Sequence, residues 1–200
     1  MLELAILGLL HESPMHGYEL RKQLTTKLGA FRFAISYGSL YPTLRRLQAD
    51  GWITEGAPTA DMPASAEEVP LLTGKRGRVV YTITAEGKER FQDLLSAAGP
   101  ETYDSEAGFG VHFAFFARTD PSTRLRILEG RRRRVEERRE GMRDVLSRAA
   151  ERLDAYTLEL QRHGLDACER EVRWLEELIA NERNGTTPEP PSAQDPERSS

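Results

Sequence analysis

Ser36-Tyr37-Gly38-Ser39-Leu40-Tyr41-Pro42-Thr43-Leu44-Arg45-Arg46-Leu47-Gln48-Ala49-Asp50-Gly51-Trp52-Ile53 is the stretch on which the reading of this chain turns. It has the marks of a short helix with a defined start and stop. Ser39 offers a side-chain oxygen to the free N–H groups of a first turn, and Pro42 falls in that turn, where a missing N–H is harmless. Gly51 stands where a left-handed residue closes a helix. Leu40, Leu44 and Leu47 share one face at helical spacing, so that face is buried. Ser39, Thr43 and Arg46 lie away from it, with Tyr41 and Arg45 on its flank. Hydroxyls, a tyrosine and arginines, with no acid before Asp50, suit a DNA major groove. Taken alone, the stretch also fits an ordinary amphipathic surface helix.

The flanking segments give this helix a setting. Leu2, Ile6, Leu9 and Leu10 mark a first helix closed by Ser13-Pro14. His16-Gly17-Tyr18 opens a second, with Leu20, Leu24 and Leu28 as its apolar stripe and Gly29 at its end. After the third helix, Trp52-Ile53-Thr54-Glu55 reads as a strand. Arg78-Val79-Val80-Tyr81-Thr82-Ile83-Thr84 reads as another, with Val79, Tyr81 and Ile83 on one face and Val80, Thr82 and Thr84 on the other. Three helices and two strands in this order predict a winged helix-turn-helix, the third helix reading DNA and the hairpin forming the wing. Between the strands, Gly56 to Leu72 is rich in Ala and Pro and reads as a mobile insertion. It runs into Thr73-Gly74-Lys75-Arg76-Gly77-Arg78. Three basic residues among glycines suit a wing tip on phosphates or in the minor groove, or else a solvated turn.

Composition constrains the rest. The 200 residues are 38% hydrophobic and 30% charged, as in a helix-rich globular protein of one or two domains. A net charge of −4 does not advertise nucleic-acid binding, but six basic residues and one acid lie between Met15 and Gln48. The single cysteine, Cys168, excludes an internal disulfide and suits a reducing cytoplasm. Met1 to Leu10 lacks the basic leader of a signal peptide, and no apolar run is long enough for a membrane span. A cytoplasmic protein is expected. His11, His16, His112 and His163 are scattered, and no phosphate loop, metal cluster or activated nucleophile is present in the pattern. Neither enzyme activity, cofactor nor metal is expected.

Beyond Thr84-Ala85-Glu86-Gly87, which starts a fourth helix, Gly99-Pro100 marks a boundary. Phe109, Phe113 and Phe116 form an aromatic stripe, read as core or as a pocket wall. From Pro121 to His163 an uninterrupted helix is predicted, about 60 Å long. Its heptad contains Leu125, Leu128, Val135, Met142, Leu146, Leu153, Tyr156 and Leu160, interrupted by Arg132 and Arg139. A helix of that length needs a partner, and a second copy of the chain is the simplest. Arg131 to Arg134 reads as a solvated, salt-bridged face because Glu136 and Glu137 follow at i+4. Gly164 ends this helix. A last one carries Leu165, Cys168, Val172, Leu175 and Ile179 on one face, widened by Trp174 and Leu178, as the other half of a dimer-forming hairpin. The resulting division is 1–98 winged helix-turn-helix, with 57–74 as its flexible insertion, 99–183 helical dimerisation domain, and 184–200 disordered tail.

On Leu4-Ala5-Ile6-Leu7-Gly8-Leu9-Leu10, His16-Gly17-Tyr18-Glu19-Leu20, the third helix, Gly51-Trp52-Ile53 and Tyr81-Thr82-Ile83-Thr84-Ala85-Glu86-Gly87, the chain resembles the PadR family of transcriptional regulators. The long C-terminal helices resemble the larger form of that family. The resemblance implies a homodimeric repressor on a roughly palindromic operator in double-stranded DNA. It also implies, for some members, release by a small aromatic or drug-like effector. Carried over residue by residue, the DNA contacts would be His16, Tyr18, Ser36, Tyr37, Ser39, Tyr41, Thr43, Arg45, Arg46, Lys75, Arg76 and Arg78. Two features depart from the family pattern: Trp52, where a smaller aliphatic residue is common, and the long insertion from Gly56 to Leu72. The competing reading is a helical interaction module whose winged domain binds a protein.

Overall fold

The computed structural model describes residues 1–28, 37–56, 79–149 and 152–186. Ser36, Lys75, Arg76, Arg78, the insertion at 57–74 and nearly all of the expected tail lie outside the described residues. The chain divides into two compact units, Met1–Asp120 and the residues from Pro121 onward.

The first unit is built around α1 (Leu2–Glu12). Every residue from Leu4 to Leu10 is buried, which a single apolar stripe of Leu2, Ile6, Leu9 and Leu10 does not anticipate. A helix apolar on all sides belongs inside a unit, and α1 touches α2 (Gly17–Leu28), α3 (Tyr37–Ala49), β3 (Val80–Ile83) and α4 (Ala85–Ser96). The sheet has three strands where two were expected. β3 is central, with β2 (Ile53–Gly56) on one side and the two-residue β1 (Met15–His16) on the other, all antiparallel. So short a strand carries no period-two signal, and only pairing with Val80 and Tyr81 makes it one. Val80 is buried, although strict alternation puts it on the outer face with Thr82, which is exposed.

Thr84 caps α4, its hydroxyl accepting the Gly87 N–H at 3.0 Å, as the sequence there suggests. The unit does not stop at Gly99-Pro100. α5 (Pro100–Asp104), α6 (Glu106–Ala114) and a 3-10 turn (Phe116–Arg118) follow. Val111 and Phe115 join the core of α1, and Phe115 meets Phe91 of α4 edge to face at 5.5 Å. Of the aromatic stripe, Phe109 is buried and stacks on Phe113, which in turn meets Phe116 at 4.9 Å.

The second unit corrects the expected 60 Å helix. α7 (Pro121–Ala149) and α8 (Ala155–Arg183) are separate helices of 29 residues each, about 43 Å long. The break falls at Asp154, not at Gly164. Its carboxylate accepts the N–H groups of Tyr156 and Thr157 at 3.0 Å, starting α8 inside the heptad. These hydrogen bonds, the Thr157 side chain foremost, hold the Asp154 carboxyl below its usual range. Gly164 sits within α8, where an added Cβ would meet the Met142 thioether of α7 at 3.2 Å.

α7 and α8 run antiparallel, as shown by contacts from Arg124 to Glu182, Arg131 to Glu171 and Arg143 to Glu169. Leu128, Val135, Cys168, Val172, Leu175 and Ile179 are buried within the chain, while Leu125, Met142, Leu146, Leu153 and Trp174 are half-buried. A partner for α7 is thus present in the same chain. Tyr156 and Leu160 differ, being 90% and 67% exposed. Arg131 also departs from the solvated face assigned to it: it is 3% exposed and bound to Glu171 at 2.7 Å. Arg132 does pair with Glu136, and Glu137 takes Arg134. Among the described residues, no helix is long and apolar enough to cross a membrane.

Candidate nucleic-acid interface

The third helix is the centre of the candidate surface. It begins at Tyr37, before Ser39, so Ser39 is not its cap. Instead the Ser39 carbonyl accepts the Thr43 hydroxyl at 2.7 Å. Pro42 therefore lies inside the helix. The far end follows the sequence. Gly51 has φ of 77°, its N–H donates to Gln48 O at 3.1 Å, and Trp52 N–H donates to Leu47 O at 2.9 Å. This paired 5→2 and 6→1 pattern satisfies the last carbonyls of α3 and turns the chain into β2.

Leu40, Leu44 and Leu47 are each at most 1% exposed and root α3 in the core. Tyr41 and Arg45 are exposed, and Thr43 and Ser39 are half-buried. Tyr41 lies over the start of α2, where a Cβ on Gly17 would meet its ring at 3.3 Å and the Tyr81 ring at 3.6 Å. Tyr18, half exposed, stands at that same helix start. His16 is more tightly held than a free contact residue. Its N–H donates to Glu19 Oε2 at 2.8 Å, and its Nδ1 lies 3.2 Å from Val79 O. A carbonyl can only accept, so Nδ1 carries the proton there. α3, β1 and the start of α2 thus bring Tyr41, Arg45, His16 and Tyr18 to one neighbourhood. Tyr37 opens α3.

Reading the third helix by its spacing missed several residues around it. Tyr81 is buried beside Tyr41, and its hydroxyl bonds to the Glu55 carboxylate. Burial first, then the Glu55 charge, push the phenol above its ordinary value, while Arg45 acts against them. An acid therefore lies near the basic helix, partly engaged by a tyrosine. On the other side, Arg46 is not free. Its Nη2 donates to Glu3 Oε2 at 2.8 Å, and Arg90 Nε donates to the other oxygen at 2.9 Å. The Arg90 guanidinium lies 4.9 Å from the centre of the Trp52 ring. Trp52, unusual by the family pattern, here supports a cation. No local pattern links positions 3, 46, 52 and 90.

Residues 6–93 match the transcriptional regulator PadR-like family. The negative transcriptional regulator PadR of Bacillus subtilis (strain 168) is 26% identical over 188 residues, covering 90% of this chain and 96% of that protein. Among solved structures, Bacillus subtilis PadR in complex with operator DNA is 20% identical with a TM-score of 0.40, covering 90% of this chain and 98% of that one. The same protein in complex with p-coumaric acid is 21% identical with a TM-score of 0.39, covering 91% and 98%. The PadR-like transcriptional regulator BC1756 from Bacillus cereus is 20% identical with a TM-score of 0.39, covering 92% and 99%. Over residues 6–93, this chain is similar to the PadR-like family of transcriptional regulators.

Proposed function

We propose that this chain is a cytoplasmic, homodimeric repressor that reads a palindromic operator with α3, the start of α2 and the wing. The observation that carries this reading is the exposed Tyr41 and Arg45 on α3, whose opposite face is rooted in the core, with the exposed Tyr18 at the start of α2 beside them. Such a surface can place donors against base edges while the scaffold holds their register. Repression rather than activation is supported by the negative regulator that is 26% identical over nearly the whole chain.

The dimer is assigned to the exposed Tyr156 and Leu160 of α8, because Leu128, Val135, Val172, Leu175 and Ile179 are already buried within one chain. Two linked readers would address two half-sites about one helical turn apart. Release by a small aromatic effector belongs to the same reading, and p-coumaric acid, bound by Bacillus subtilis PadR, is the first compound to try.

A gel-shift titration against DNA upstream of the chain's own gene, with excess nonspecific competitor and across a salt series, tests the reading. A competitor-resistant shift at dimer stoichiometry is expected, reversed by an effector. A folded dimer that shifts no DNA even at low salt would transfer the winged unit to a protein partner.

A further inference from the structure

Arg45 and Arg46 are neighbours in sequence, yet their charges meet different surroundings. Among the described residues Arg45 forms no ion pair, and its guanidinium acts on the buried Tyr81 phenol. Arg46 projects toward the start of α1, where Glu3 takes it. The Glu3 side chain is 14% exposed and that of Arg46 58%. A carboxylate so far out of water requires counter-charge. Glu3 has two: Oε2 holds Arg46 and Oε1 holds Arg90. Arg90 is fixed in turn against the face of Trp52. It cannot swing across to replace Arg46 without leaving both contacts.

This ion pair adds little to the fold. Leu40, Leu44 and Leu47 already anchor α3, and partly exposed ion pairs contribute little to stability. What it does fix is where Arg46 carries its charge. Drawing Arg46 onto a phosphate would strip Glu3 of one of its two cations, so the exchange gains little.

Resting on the DNA-binding reading above, we infer that Glu3 is an internal counter-ion that withdraws Arg46 from phosphate and so limits affinity for nonspecific DNA. Glu3 is a positioning residue: it touches no DNA and acts through Arg46. Nonspecific affinity is almost wholly electrostatic, and each phosphate contact contributes about 0.9 to the slope of log K against log salt. Withdrawing one arginine lowers that background while leaving contacts to base edges in place, which favours the operator over other sequence.

The test is fluorescence anisotropy of the full chain with a nonspecific duplex across a salt series, using Glu3→Gln, Arg46→Gln and the double variant. Glu3→Gln should steepen the slope by about 0.9, and the double variant should return it to the native value. Arg46→Gln alone should leave the slope of the native chain unmoved. A slope flattened by about 0.9 in Arg46→Gln would show that Arg46 contacts phosphate and would overturn the inference. An unchanged slope in folded Glu3→Gln would do the same. Circular dichroism monitors folding, and if Glu3→Gln does not fold, the Arg46→Gln slope decides. A native chain that binds no DNA at any salt overturns the DNA-binding reading itself, and the inference with it.

Discussion

Gly87 shows how one residue can hold the winged unit to its geometry. A Cβ at that position would lie 2.0 Å from the Trp52 carbonyl oxygen and 2.9 Å from its carbon. Both are backbone atoms that cannot rotate aside. Gly87→Ala should therefore lower stability toward the upper end of the about 1–3 kcal/mol typical of overpacking, read as a fall in the urea midpoint. Gly51→Ala meets open space, so only its φ of 77° opposes it, and the loss should be near 1 kcal/mol. A larger loss at Gly51 than at Gly87 would contradict this account. On the exposed side of α3, Arg45→Ala should weaken operator binding by about 1–3 kcal/mol with an unchanged melting temperature. Unaltered operator affinity at matched salt would take Arg45 out of the contact surface.

The elements are tied together by polar groups that few local patterns reveal. His112 of α6 is 2% exposed, with Nδ1 3.1 Å from the Gly108 carbonyl and a second bond to the Leu94 carbonyl of α4. Burial lowers its pKa from the ordinary value, and the two carbonyls oppose that shift. The N-terminal ammonium lowers it further, whereas Glu101 raises it. His11 is lowered in the same direction, by burial and then by Arg118. A depressed histidine is neutral in the folded chain and protonates first in the unfolded one. Its stabilising contribution is complete above the unfolded value of about 6.5 and declines as pH falls below it. The urea midpoint should accordingly drop on acidification from about pH 7 to about pH 5, and by less in His112→Gln. Equal drops in both chains would remove His112 as the cause. Thr84 links elements in another way, accepting from Gly87 N–H and donating to Gly51 O at 2.8 Å.

Across the whole molecule, the two units divide the work. The first carries the candidate surface of Tyr41, Arg45 and Tyr18, and the second is a helical hairpin held by apolar contacts and by the Arg131–Glu171 pair, which Arg138 shares at 3.1 Å. Charge introduced on the hairpin should have opposite consequences at its two kinds of apolar site. Leu160→Glu, at an exposed position, should leave helicity intact and halve the mass seen by light scattering. Leu128→Glu, at a residue 1% exposed, should unfold the hairpin because a charge cannot be buried without a partner. A Leu160→Glu chain that still scattered as a dimer would place the interface elsewhere. Glu171→Gln tests the buried pair. It leaves Arg131 with less compensation and should lower stability by about 1–3 kcal/mol, the cost of an unsatisfied buried polar group.

What could be read along the chain was whatever is local. The leucine spacing of the third helix, the glycine after it, the start of the fourth at Thr84-Ala85-Glu86-Gly87 and the order of helices and strands each depend on neighbours within a few positions. Together they were enough for the winged fold and for the resemblance to PadR-like regulators. The break at Asp154 was also local, but its cap signal lay inside a heptad pattern that continued past it. Other features had no local trace. The strand at Met15–His16 exists because Val80 and Tyr81 lie beside it. Arg46 and Arg45 look alike in sequence until Glu3, forty-three positions away, takes one of them. Leu128 and Leu160 belong to the same heptad, and only the folding of α8 back along α7 buries one and leaves the other exposed. Periodicity shows which faces of a helix are apolar, but burial and charge pairing depend on what comes to rest against those faces, and that is settled by contacts between distant parts of the chain.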